Sequence, residues 1–279
     1  MQAVAAAARY LLRLPIRLLF RAFRRTIVRT QYEYISGLDK DAQITFLNYG
    51  YASRDPEAPP IELDPEEERD RYGIQLYHRV AGAIDLAGLD VLEVGCGRGG
   101  GAAHVIQRFH PRSLTALDFC KSAIEFCACH YEIDGLQFVR GDAEHLEFED
   151  ASFDAVLNIE SSHCYGRIDR FFREVARVLR PGGYFLFADF RKEERLDLLR
   201  GQLAEAGLAV LREDDITPEV VNALDLDRDR RLKLIEKRVP ERRREAFKTF
   251  AGIEGTFVYD GMKSGAVRYM AFVLQKPAG

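Results

Sequence analysis

A run of glycines between an apolar segment and a helical pattern constrains this chain more than any other feature. The run is Leu92-Glu93-Val94-Gly95-Cys96-Gly97-Arg98-Gly99-Gly100-Gly101. Because glycine has no Cβ atom, such a turn allows positive φ values and lets a ligand lie directly on the main chain. The helix that follows directs its free N–H groups at the same place. The sequence therefore predicts a strand, a ligand-binding turn and a helix.

The spacing of Gly95, Gly97 and Gly100 also matches the G-x-G-x-x-G pattern of dinucleotide binding, with Asp118 as an acceptor for ribose hydroxyls. From this turn alone, a nicotinamide-dependent oxidoreductase is an open alternative. Short apolar strands alternate with helices after residue 89, which predicts an α/β fold with a mostly parallel seven-stranded sheet and helices on both faces. The predicted strands are 90–95, 113–118, 136–140, 153–158, 184–189, 208–213 and 266–274, and the predicted helices are 100–109, 121–133, 168–179 and 192–206.

The first thirty residues differ in charge from the rest of the chain. Residues 1–30 contain seven arginines and no acidic residue, so the other 249 residues sum to −11. Apolar residues recur there at helical spacing beside a face of arginines, which predicts an interfacial amphipathic helix. The apolar runs are well short of the roughly 20 residues needed to span a bilayer. Packing on its own domain or on a second subunit is an alternative, as is an organellar leader.

The remaining patterns place a further helix and an insert, and together they divide the chain into three segments. Asp64 is predicted to cap a helix that runs to about Ile84, since Pro65 and three glutamates suit its first turn. A charged helical insert at about 217–250 falls between the last strands on the ligand side, which favours a lid over a solvated outer layer. The predicted segments are a basic amphipathic helical extension at 1–35, an N-terminal helical cap at 36–88 and a core at 89–279 that carries the insert.

Cysteine usage and charge limit the environment and the partners. Five cysteines occur without a paired framework and without a secretory leader, which favours a reducing cytoplasm. Cys127, Cys129 and His130 have the residue types of metal ligands. They fall on a predicted helix where positions two apart point in different directions, so we predict no metal site. The acidic body disfavours nucleic acid, which binds a basic stripe.

Five motifs in chain order resemble those of class I S-adenosylmethionine-dependent methyltransferases. They are Glu93-Val94-Gly95-Cys96-Gly97-Arg98-Gly99, Asp118, Gly141-Asp142-Ala143, Ser152-Phe153-Asp154 and Leu179-Arg180-Pro181-Gly182-Gly183. Further segments, from about residue 40 onward, resemble the phthiotriolone and phenolphthiotriolone dimycocerosate O-methyltransferases of mycobacterial lipid assembly. These segments are Phe46-Leu47-Asn48-Tyr49-Gly50-Tyr51, Leu76-Tyr77-His78-Arg79 and Asn158-Ile159-Glu160-Ser161-Ser162-His163-Cys164-Tyr165.

The resemblance implies a Rossmann-like methyltransferase fold, S-adenosyl-L-methionine as cofactor and defined roles for single residues. Asp118 would accept hydrogen bonds from the ribose hydroxyls, Phe119 would cover the adenine and Asp142 would accept from its amino group. Glu93 would order the turn or hold the cofactor's amino group. The implied cofactor-binding residues are Glu93, Gly95, Gly97, Gly99, Asp118, Phe119, Asp142, Ala143 and Asn158, and the implied substrate-pocket residues are Tyr49, His78, Glu160 and Tyr165.

Transfer of a methyl group to an alcohol or phenol requires removal of a proton, and a neutral histidine suits that task. His163 follows the fourth strand and Asp189 ends the fifth, and these strands are neighbours in this fold. We therefore predict that His163 is the general base and that Asp189 orients its ring. His78, Glu160 and Tyr165 are alternative bases.

The predicted function is O-methylation of a hydroxyl on a small lipophilic molecule, which is a lipid, polyketide or phenolic compound. C-methylation of a sterol or quinone-like substrate is an alternative, and so is a non-enzymatic membrane-associated scaffold. We expect a cytoplasmic protein with peripheral membrane contact through residues 1–30, and a homodimer is open.

Overall fold

The computed structural model describes residues 42–59 and 61–278, so the predicted extension at 1–35 lies outside the described residues. One seven-stranded sheet forms the centre of the fold. Its strands are β1 (Asp90–Val94), β2 (Ser113–Asp118), β3 (Leu136–Arg140), β4 (Phe153–Ile159), β5 (Leu179–Lys192), β6 (Ala209–Asp215) and β7 (Val267–Gln275). Their order is β3-β2-β1-β4-β5-β7-β6, and only β7 runs antiparallel to its neighbours in this sheet. The predicted mostly parallel seven-stranded α/β sheet is confirmed.

Helices connect most of the strands. Those that the structure describes are α1 (Arg71–Ala81), α2 (Gly100–Phe109), α3 (Lys121–His130), α4 (Ile168–Val178), α5 (Leu196–Glu205), α6 (Thr217–Arg238), α7 (Arg244–Phe250) and α8 (Phe257–Ser264). Short 3₁₀ turns lie at Glu68–Asp70, Ser162–Cys164, Glu193–Arg195 and Glu241–Arg243. Within this described part of the chain, no helix combines the length and the apolar character needed to cross a membrane.

The sheet is covered on both faces because alternate residues of its central strands point in opposite directions. In β1, Val91 packs into an apolar cluster with residues of α1, α2 and α6, whereas Leu92 packs into a second cluster with residues of α4 and α5. In β5, Leu186 belongs to the first cluster and Phe187 to the second. This arrangement explains the continuous apolar runs in the sequence and confirms the prediction of helices on both faces.

Three local predictions differ from the structure. Asp64 does not cap a helix: α1 begins only at Arg71, and the Asp64 N–H instead donates to the Glu67 carboxylate at 3.0 Å. The early glutamates therefore form a turn before the helix. The predicted strand 184–189 is part of the longer β5, so Asp189 lies within this strand, which ends at Lys192. The third difference is α8, which lies in a stretch for which no helix is predicted, whereas the predicted insert is helical, in α6 and α7.

Replacement of Phe187 by alanine should destabilise the fold strongly. Its ring is fully buried and stacks on Phe185 at 5.4 Å and on Phe272 at 5.7 Å between centroids. Removing such a ring leaves a cavity that costs about 3–5 kcal/mol. Urea denaturation measures the loss. Phe257→Ala is the matched control, since that ring is 68% exposed and should cost under about 1 kcal/mol; equal losses in both variants would contradict the assignment.

Candidate active site

A cavity opens at the carboxyl ends of β1, β2 and β4. We call it the glycine-turn cavity. It lies where the strand order reverses between β1 and β4, which is the position where open α/β sheets bind ligands. The predicted site residues that line it are Gly95, Gly97, Asp118, Phe119, Asp142, Ala143, Glu160 and Tyr165.

The main chain of Gly95 forms part of the cavity floor at a φ of +85°. A Cβ atom there would lie 2.2 Å from the Ser161 hydroxyl oxygen and 2.9 Å from that of Tyr165. Gly99 is also predicted to bind the cofactor, but it lies elsewhere. It caps α2 at a φ of +79°, and the space beside it is filled by Tyr131 and other side chains, so it does not line the cavity. Gly95 thus leaves room at the cavity, whereas Gly99 permits helix packing.

The Asp118 carboxylate fastens the end of β2 to the glycine turn. Its Oδ2 accepts the Gly97 N–H at 2.9 Å, and its Oδ1 accepts the Cys120 N–H at 2.8 Å. Burial raises the pKa of this carboxyl, and the backbone donors counteract the rise. A carboxylate oxygen accepts more than one hydrogen bond, so Asp118 can also accept from a ligand hydroxyl.

Glu93 and Asn158 do not line the cavity but lie behind its wall. The Glu93 Oε1 accepts the Tyr77 hydroxyl at 2.6 Å, and the Asn158 amide donates to the Val94 carbonyl at 2.7 Å. Glu93 Oε2 and Asn158 Oδ1 are buried without a hydrogen-bond partner among the described residues. Burial raises the pKa of Glu93 to about 7. Two unsatisfied acceptors at this place suit a cationic ligand that brings donors.

The predicted partners His163 and Asp189 do lie together. His163 Nδ1 is 2.9 Å from Asp189 Oδ1, and the His163 backbone N–H donates to the other oxygen at 2.8 Å. The Ser162 hydroxyl also donates to Asp189, and Arg191 forms an ion pair with it at 3.1 Å. Burial raises the pKa of Asp189, but Arg191 and His163 outweigh burial and hold that pKa well below its usual range.

The groups around His163 shift the pKa of its imidazole. Burial lowers the pKa of His163, but Cys164 and Asp189 raise it more, so the net pKa lies well above 6.5. The ring packs against Phe190, with centroids 4.4 Å apart. His163 and Asp189 stand beside the cavity rather than in its wall, which Cys164 and Tyr165 form at this point.

Glu160 is the buried acid in the cavity wall. It has a φ of +51°, unusual for a side chain of this size, and directly follows β4. Its Oε2 accepts the Tyr49 N–H at 2.8 Å and the Tyr269 hydroxyl at 2.9 Å. Burial raises the pKa of Glu160 to about 7, although these donors and His163 oppose the rise. The main chain of Tyr49 and the side chain of Tyr269 thus position Glu160.

Two predicted substrate-pocket residues do not line this cavity. The Tyr49 ring stacks on Phe190 at 5.5 Å, behind the wall. His78 faces away, and its ring packs against those of His104 at 5.8 Å and Phe109 at 5.1 Å. Successive residues of a helix point about 100° apart, so Tyr77 reaches the cavity in place of His78. Of the alternative bases, Glu160 and Tyr165 line the cavity, whereas His78 lies away from it.

Sequence reasoning missed Tyr269, which positions Glu160 from behind the wall, and several residues of the wall itself. Tyr269 comes from β7, and its only signal is a tyrosine within an apolar strand. Thr45, Phe46 and Leu47 come from a segment before the sheet and line the cavity from the opposite side. In the part of the chain that is described, no group of three potential metal ligands converges, and Cys127 is buried whereas Cys129 is exposed.

This fold and this cavity are those of class I methyltransferases. The family model described as a methyltransferase domain matches residues 92–187. The phthiotriol/phenolphthiotriol dimycocerosates methyltransferase of Mycobacterium tuberculosis is 40% identical over 242 residues, which cover 86% of this chain and 88% of that protein. The chain belongs to this methyltransferase family.

A further relative agrees with this membership, and a solved structure shares the fold. The fatty-acid O-methyltransferase of Mycolicibacterium smegmatis is 41% identical over 249 residues, covering 88% of this chain and 89% of that protein. The crystal structure of the [4+2]-cyclase SpnF matches with a TM-score of 0.67 at 23% identity, covering 90% of this chain and 96% of that one. Membership in the family decides against the oxidoreductase and scaffold alternatives.

Replacement of Glu160 by glutamine should change the pH dependence of stability in the absence of ligands. The folded-state pKa of about 7 lies above the ordinary value of 4.5, so the carboxyl costs no stability below about pH 4.5 and an increasing amount as pH rises through 7. Glu160→Gln should match the original protein near pH 4 and exceed it by about 3 kcal/mol near pH 8, as urea denaturation measures. The exposed Glu66→Gln is the control. An equal difference in stability at both pH values would show that the raised pKa of Glu160 is not its cause.

Proposed function

We propose that this enzyme transfers a methyl group from S-adenosyl-L-methionine to an oxygen atom of a lipophilic acceptor. The observation that carries the proposal is the placement of the His163–Asp189 pair beside the glycine-turn cavity, at 2.9 Å from each other. The names of the relatives support a lipid acceptor, since one acts on phthiotriol dimycocerosates and another on fatty acids.

The cavity residues suit this cofactor. Gly95 and Gly97 would lie beneath its methionine part, Asp118 would accept from its ribose, and Phe119 and Asp142 would contact its adenine, with Ala143 beside them. Glu93 and Asn158 would act from behind the wall, where their unsatisfied oxygens favour the positive charge of the cofactor. The bound cofactor supplies an electrophilic methyl group on sulfur.

Gly95→Ala should weaken binding of S-adenosylhomocysteine. The added Cβ atom would overlap the Ser161 hydroxyl oxygen, 2.2 Å away, and displace the wall. Overpacking of this kind costs about 1–3 kcal/mol, or a factor of about ten to one hundred in affinity. Titration calorimetry measures the affinity. Gly182→Ala is a matched control because Gly182 has a similar φ of +81° but open space around it, so only stability should fall. Equal affinities for both variants would argue against binding on this turn.

For a hydroxyl acceptor, His163 would remove the proton while the protein holds the acceptor oxygen in line with the methyl group and the leaving sulfur. Only a neutral imidazole accepts a proton, and Asp189 and Cys164 hold the pKa of His163 above 6.5. Turnover should therefore rise with pH through that raised pKa. Asp189 fixes the ring orientation, as a carboxylate does in other histidine dyads.

His163→Ala should reduce turnover of a hydroxyl acceptor by about 10² to 10⁴, with S-adenosylhomocysteine affinity retained. Turnover is measured by transfer of labelled methyl to the acceptor. His145→Ala removes an exposed histidine and serves as the control. An unchanged rate in His163→Ala would remove the base assignment.

A second candidate is methylation of a carboxylate, which the raised pKa of His163 favours. A protonated imidazole next to Asp189 would hold a carboxylate in place, and a carboxylate needs no base. The two candidates differ in the sign of the pH profile: turnover rises through the His163 pKa for a hydroxyl and falls through it for a carboxylate. C-methylation is distinguished by mass spectrometry of the labelled product.

The insert and the extension stay predictions. Arg231 of α6 donates to the carbonyls of Asn48 at 3.2 Å and Tyr49 at 3.1 Å, which supports a role of the insert as a cover near the cavity. Membrane contact through residues 1–30, the homodimer and the cytoplasmic localisation are predictions from the sequence alone.

A further inference from the structure

A second cavity, partly open to solvent, lies between the segment 43–48 and the helices α6 and α7. We call it the alkyl chamber. Most of its lining is aliphatic or aromatic, and the apolar residues are Ile44, Phe46, Leu47, Leu234, Ile235, Val239, Phe247, Phe250 and Ala251.

Three of the charged residues that line the chamber are held by other side chains. Arg230 and Arg231 both bond to the buried carboxylate of Asp227, at 2.6 and 2.9 Å. The Asp70 carboxylate accepts the Thr45 hydroxyl at 3.1 Å and is paired with Arg69. Arg238 also lines the chamber, and the larger part of the lining is hydrocarbon.

The chamber and the glycine-turn cavity share a wall. Phe46, Leu47 and Asn48 line both, from opposite sides of one short segment. Arg231 fixes this segment from behind through the carbonyls of Asn48 and Tyr49, and the Tyr49 N–H donates to Glu160 in the first cavity. The main chain of the partition is thus held, and the Phe46 and Leu47 side chains stand between the two spaces.

We propose that the alkyl chamber binds the hydrocarbon chain of the acceptor, while the acceptor oxygen lies in the glycine-turn cavity. This inference rests on the proposed function for the identity of the acceptor. A chain that extends from the reacting oxygen past Phe46 and Leu47 reaches a space that is lined mainly by apolar side chains. An acceptor with a compact polar body would gain nothing there.

The chamber predicts a dependence of affinity on chain length. Calorimetry with the full chain and the series octanoate, dodecanoate and hexadecanoate is the direct test, in the presence of S-adenosylhomocysteine. Each added methylene that enters the chamber should raise affinity by up to about fourfold. Equal affinity for the three acids, or no binding of hexadecanoate because the chamber already holds another part of this chain, would overturn the proposal.

Ala251→Leu fills the chamber without touching the glycine-turn cavity, which Ala251 does not line. Hexadecanoate affinity should fall on the order of tenfold or more, whereas octanoate affinity changes little. Ala246→Leu makes the same substitution at an exposed position of α7 and should leave both affinities unchanged. If Ala251→Leu does not fold, Leu234→Ala enlarges the chamber and should shift the preference toward longer chains.

Two readouts separate this proposal from the proposed function. Ala251→Leu should keep the original affinity for S-adenosylhomocysteine and the original rate on a short-chain acceptor. Normal methyl transfer without any dependence on chain length would overturn the chamber alone. Chain-length-dependent binding without methyl transfer to any acceptor would overturn the proposed function and leave the chamber in place.

Discussion

The hydrogen bonds between the end of β2 and the glycine turn hold the active-site region together. Asp118 accepts from Gly97 and Cys120, and the Leu117 carbonyl accepts the N–H groups of Gly95 and Cys96. These bonds fix the turn in left-handed conformations that only glycine adopts at low cost. The cavity floor, the start of α2 and the exposed main chain all follow from this one attachment.

Much of the sheet could be predicted from the sequence because its signals are local. The bounds of α2, β2 and β3 follow from apolar strands punctuated by glycine, and the structure has them at the predicted residues. The pairing of His163 with Asp189 also follows from the adjacency of β4 and β5, although β5 continues past Asp189 to Lys192. The methyltransferase fold and the family follow from motifs that lie close together in the chain.

The remainder depends on contacts that no local pattern records. Whether Tyr77 or His78 faces the cavity depends on the rotation of α1, which packing against α2 determines. Gly99 fits the glycine motif, yet its space is taken by Tyr131 from the end of α3. Tyr269 reaches Glu160 from a strand more than one hundred residues later in the chain. Side-chain direction and long-range packing therefore limit what motifs alone can assign.

The fold by itself does not define the reaction. A protein named as a [4+2]-cyclase has the same architecture at 23% identity, so the chemistry of this chain must come from the residues around the cavity. Here these residues include a histidine with a raised pKa, a carboxylate paired with it and a second carboxyl whose pKa burial raises to about 7. Together they can either accept a proton or hold an anion beside the cavity.

Two residues of the active-site region lie outside the part of the chain that the methyltransferase domain matches. The matched domain ends at residue 187, yet Asp189 and Tyr269 both lie beyond it. A relative in which mutation or recombination replaced only the last strand would keep every diagnostic motif and still lack the hydroxyl that steadies Glu160. Divergence of substrate preference in this lineage can therefore begin at the carboxyl-terminal strand β7, which lies outside the matched domain.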